Sequence, residues 1–67
     1  MYTKVSNLLY ATAATLAADG KEETAKAVLE SREIVAQEAA HQLPASASQP
    51  AIAAAARNLL AVRGISL

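Results

Sequence analysis

Glu38 and His41 stand three residues apart as Glu-x-x-His, a spacing that sets a carboxylate and an imidazole one turn apart on the same helix face. Di-iron four-helix bundles use such a pair on two helices, with one more carboxylate from each of the other two. Here the segments before Asp19 and after Pro44 carry no Asp or Glu, and Asp19 lies at the wrong end. The ligand set is incomplete. His41 reads instead as a residue suited to the negative end of a helix dipole, beside Glu38. Ser6, Ser31, Ser46, Ser48 and Ser66 share that single His and no Gly-rich strand turn, so nucleophilic catalysis lacks its parts. Both glycines are isolated, which removes a phosphate loop. Glu22, Glu23, Glu30 and Glu33 could pair as acid and base, but they are interleaved with Lys21 and Lys26 and spaced as a solvated face. The expectation is a protein that is not an enzyme, with no catalytic residue, metal or cofactor.

The elements that carry these residues are set out by charge. Eight of the twelve charged side chains fall between Lys21 and Glu38, while Val5 to Ala18 and Ala45 to Ala56 have none. A charged central helix between two uncharged arms asks for burial of the arms. At 67 residues there is room for one domain, residues 1–67, and its bulk is small: 18 of the 36 hydrophobic residues are Ala, with no Phe or Trp. A domain with so little bulk needs a staple, and the absence of Cys leaves oligomerisation as the available one. The same absence suits the cytoplasm. Six basic residues balance six acidic ones, so nothing attracts DNA or an anionic membrane.

Lys4 followed by Val5 to Ala18 is faintly like a secretory leader, but Ser6, Asn7, Thr12 and Thr15 interrupt the apolar run, and it reads as a helix of the domain. No window offers the about 18 to 20 uninterrupted apolar residues of a membrane span.

Spacing and punctuation predict three helices in an all-α fold. The first runs from about residue 3 to 18, with Val5, Leu8, Leu9, Thr12, Ala13 and Leu16 on one stripe and Asn7, Ala11, Ala14 and Ala18, edged by Tyr10, on a second face of small residues. Asp19-Gly20 ends it. The second, about 21 to 43, is stopped by Pro44; its apolar stripe is Ala25, Val28, Leu29, Val35, Ala36, Ala39 and Leu43, with Arg32 inside the stripe and Ile34 outside it. The third, about 50 to 63, opens at Pro50 behind Ser48 or Gln49 and closes at Gly64, with Ile52, Ala55, Ala56, Leu59 and Val62 inward, Leu60 flanking and Ile65 folding back. The short Asp-Gly connection forces an antiparallel hairpin, and the third helix covers it, giving a three-helix bundle that oligomerises.

Leu9, Ala13, Leu16, Gly20, Ala25 and Leu29 resemble part of a tetratricopeptide helix pair, but Thr12, Arg32 and Gln37 depart from that pattern and no second copy follows. Arg57 to Leu67 is similar to the helix before the turn of a helix-turn-helix DNA reader, with no recognition helix after it. No family is assigned.

The functional expectation is a small regulator, adaptor or inhibitor that binds an unidentified protein client by occlusion or bridging, as a homo-oligomer and most simply a dimer. Lys26, Glu30, Arg32, Glu33 and Ile34 are the expected client surface; Tyr10, Ala11, Ala14, Ala18, Leu59 and Leu60 are the expected self-association surface. Arg32 either snorkels to the edge or pairs with a carboxylate across an interface. Two alternatives stand beside this: a structural subunit without a foreign client, and a small RNA- or nucleotide-binding dimer with Lys21, Lys26 and Arg32 of two chains along one groove.

Overall fold

The computed structural model describes all of residues 1–67. Three α-helices and no strand make up the chain: α1 over Tyr2–Ala18, α2 over Glu22–Gln42 and α3 over Gln49–Val62. Each predicted end holds to within one residue. The reasons are local.

At the end of α1, Gly20 takes φ +81°, and two backbone bonds close the helix, from the Gly20 N–H to the Ala17 carbonyl (3.0 Å) and from the Lys21 N–H to the Leu16 carbonyl (2.8 Å). This is the paired capping arrangement that a left-handed residue permits. Gly64, at φ +82°, repeats it after α3: its N–H reaches Ala61 (2.9 Å), and the Ile65 N–H reaches Leu60 (2.9 Å). Ile65 thereby turns back onto the core, as its position after the Gly cap predicts. At the other end of α3, the Ser48 hydroxyl accepts from the Ala51 N–H at 3.3 Å, and Pro50 occupies the first turn, where a missing N–H costs nothing. α2 has no such side-chain cap but places Glu22 and Glu23 at its positive end.

The short connection folds α1 against α2, and these two helices share the largest contact; α3 lies mainly on α2 and touches α1 thinly. Gly64, Ile65 and Ser66 rest near Glu23, Thr24 and Ala27, so α3 runs back down α2 from the 43–48 connection. The resulting body measures 34 × 19 × 16 Å. Its core is Val5, Leu9 and Ala13 of α1, Ala25, Val28, Val35, Ala36 and Ala39 of α2, and Ile52, Ala56 and Leu60 of α3. Five of these eleven are Ala, so the helices approach closely and little volume is enclosed. No helix is long and apolar enough to cross a membrane.

Three burial expectations need correction. Leu29 is 44% exposed because its position turns it to the outer side of the α1–α2 contact, where only Ala14, Ala17 and Tyr10 stand opposite. Val62 is 84% exposed and Leu60 fully buried. The inward row of α3 is Ile52, Ala56 and Leu60, a run of i, i+4, i+8 on one side, which carries Val62 outward.

Candidate interaction surface

Arg32 is the most polar side chain in the α1–α2 contact, and it has partners inside its own chain. Its Nε–H donates to both the carbonyl oxygen (3.0 Å) and the Oγ (2.9 Å) of Ser6. Its guanidinium carbon sits 5.0 Å from the centre of the Tyr10 ring, within the distance at which a cation is held by an aromatic face. Ser6 is buried under this arrangement. Within the chain, Arg32 is thus a clamp from α2 onto the backbone of α1. Nearby, the Tyr2 hydroxyl donates to Glu33 at 3.4 Å, a long and exposed bond.

The expected client surface does not form one patch. Lys26, Glu30 and Glu33 are exposed on the outward face of α2. Arg32 turns toward α1. Ile34, two residues on and therefore about 200° round the helix, lies on the α3 side, where it is 47% exposed. The expected self-association residues are divided as well. Tyr10 and Ala14 line a shallow groove with Ala13, Ala17, Ala25 and Leu29 between α1 and α2. Ala11 and Ala18 face outward from α1, Leu59 stands in a different groove on the far side of α2, and Leu60 is enclosed by the chain's own core with no surface to offer.

Two open apolar strips thus flank the charged face of α2. On the α1 side the strip is made by Tyr10, 58% exposed, and Leu29. On the α3 side a groove of about 200 Å³ is walled by Ile34, Val35 and Glu38 of α2 and by Leu59, Val62 and Arg63. Val62 and Arg63 belong to this groove and not to the expected surfaces, because the apolar spacing of α3 in sequence sets Val62 inward and leaves Leu60 at the flank. A third hollow, of about 520 Å³, opens where α1 and α3 barely touch; Leu8, Thr12, Ala53, Arg57 and Leu67 surround a floor of core residues. The Thr12 hydroxyl there is spent on the Leu8 carbonyl at 2.8 Å.

Chemistry-bearing residues do not gather at any of these places. Glu38 and His41 are both exposed, beside Ile34 and Gln37, and no group of three or more His, Cys, Asp or Glu comes together to hold a metal ion. No buried side-chain nitrogen or oxygen is left without a partner. What the surface can offer is apolar contact framed by charge. No family model matches the chain, and neither a curated protein nor a solved structure is similar enough to it to match.

Proposed function

We propose that this chain is a small non-enzymatic protein-binding module, a regulator, adaptor or inhibitor that works in the cytoplasm by covering or bridging a partner's surface as a homo-oligomer. One observation supports the reading above the others: four of the six large hydrophobic side chains left open, Tyr10, Leu29, Ile34 and Val62, sit along two strips on opposite flanks of the charged face of α2. Apolar centres bordered by charged rims are what protein contacts are made of. Two such strips on one small body allow one to be used between copies and the other toward a client, which is the geometry of a bridge. Arg32, engaged with Ser6 and Tyr10, serves in this reading to hold α1 and α2 in the relative position that shapes the first strip.

Site-directed photo-crosslinking in the native host tests it. A benzophenone side chain replacing Tyr10 or Ile34 is expected to give a discrete crosslinked protein, and the same group replacing the exposed Ala54 on the outer side of α3 is expected to give none. Crosslinks only between copies of the chain would instead favour a structural subunit without a client. Equal, diffuse crosslinking at all three positions would remove the reading.

A further inference from the structure

We infer that the groove between α2 and α3 is the contact through which two copies of this chain pair about a two-fold axis. The inference rests on the association reading above and moves the self-contact away from the small-residue face of α1. The groove has an apolar middle and a charge of opposite sign at each end. Because α3 runs antiparallel to α2, the walls read Ile34 to Glu38 upward on one side and Arg63 through Val62 to Leu59 upward on the other. Glu38 therefore stands at the upper end and Arg63 at the lower. A two-fold axis across the middle exchanges the ends, so it sets the apolar middles of the two copies against each other and brings each Glu38 to the end of the groove that carries the partner copy's Arg63. An isologous contact must be complementary to itself, and this one is.

The other two hollows do not meet that requirement. The strip at Tyr10 and Leu29 has six apolar lining residues, and Arg32, which lies over its Tyr10 ring, is already engaged within the chain by Ser6. The hollow between α1 and α3 has Arg57 as its single charged side chain, with no acidic side chain in the lining to pair with it.

Size sets the expected strength. α3 is 14 residues long, about 21 Å, and two helices side by side span roughly 20 Å. Such a face is small beside the about 800 Å² that each partner covers in a standard interface. The dimer is accordingly weak, with a dissociation constant on the order of 10 µM or above. The apolar centre supplies the attraction, and the rim charges fix orientation more than strength.

Sedimentation equilibrium of the full chain from about 5 µM to about 1 mM tests this, with three variants whose folding is checked by circular dichroism. Val62→Lys keeps a helix-compatible charge at the C-terminal end of α3, where the dipole favours it, and is expected to leave only monomer. Glu38→Arg is expected to weaken pairing by about tenfold, through repulsion at both ends of the contact. Glu38→Arg combined with Arg63→Glu restores opposite signs and is expected to return the constant to within about threefold of the starting chain. A dimer unmoved by Val62→Lys, or a double reversal no better than the single one, would overturn this placement while leaving the association reading in force. A strict monomer at about 1 mM would also overturn it, and the client reading would then stand or fall on the crosslinks at Tyr10 and Ile34.

Discussion

Arg32 on α2 holds Ser6 on α1 through one N–H shared between two oxygens, at 3.0 Å to the carbonyl and 2.9 Å to the hydroxyl. The carbonyl belongs to the body of a helix and the hydroxyl to the same residue, so the arginine grips one point of α1 and lies back over Tyr10, one turn along. A fixed arginine at this position sets how far α1 can slide or roll on α2. Arg32→Ala is expected to cost about 1 to 2 kcal/mol, since a charged donor leaves and Ser6 loses its cover. Thermal unfolding should show this as a fall in Tm of roughly 5 to 15 °C. Ser6→Ala removes one of the two acceptors and is expected to cost about 0.5 kcal/mol, and a double-mutant cycle should return a coupling of about that size. Arg32→Lys, which has no Nε at that place and no flat face for Tyr10, should recover less than half of the loss.

Leu60 and Val62, two residues apart on α3, should behave as opposites. Leu60 is fully enclosed, and Leu60→Ala leaves a cavity in a core already poor in volume; about 2 to 4 kcal/mol is expected to go. In urea titrations of the dilute chain, where self-association is absent, Val62→Ala should change stability by less than about 0.5 kcal/mol. If the two losses were equal, the orientation of α3 described here would be wrong.

Gly20 has open space around the position where a Cβ would stand, so nothing steric prevents Gly20→Ala. Its backbone is the obstacle, because φ +81° lies where L side chains are strained. A cost of about 1 kcal/mol is expected, with Gly20→Asn cheaper than Gly20→Ala. Urea denaturation of the three proteins ranks them directly.

Ser48 contributes the one side-chain cap seen at a helix start. Ser48→Ala is expected to lower stability by about 0.5 to 1 kcal/mol. The loss should appear first as faster amide exchange in the opening turn of α3, near Ala51 and Ile52, with α1 unaffected.

The helices were legible because their ends are written in residues with a backbone reason to be there. Asp19-Gly20, Pro44, Pro50 and Gly64 place five of the six boundaries to within one residue. The phase of α3 was less so. With Leu59, Leu60 and Val62 clustered after a run of Ala, an apolar count supports several inward directions, and the structure takes the one that buries Ile52, Ala56 and Leu60 together. Leu29 fits an apolar stripe by spacing but lies at the outer side of the α1–α2 contact, where the short Ala14 and Ala17 leave it open. Arg32 was recognisable as out of place, yet its partner was not. A helical carbonyl and a serine hydroxyl carry no sign in the sequence that an arginine 26 residues later will reach them. The candidate surfaces suffered in the same way, since Ile34 and Arg32 are neighbours in sequence and nearly opposite on the helix.

The unequal sharing of contact among the three helices also bears on the order in which the molecule assembles. Closing the short connection at Asp19 and Gly20 costs little chain entropy, and it delivers the most extensive contact in the structure. α3 has its main contact on α2 and only a thin one on α1. The contacts are thus predominantly local, which favours the hairpin as the earlier event and α3 as the later one, in a topology of the kind that folds in microseconds to milliseconds. Where α3 docks last, the apolar side of α2 that it covers is open to a neighbouring chain until it does.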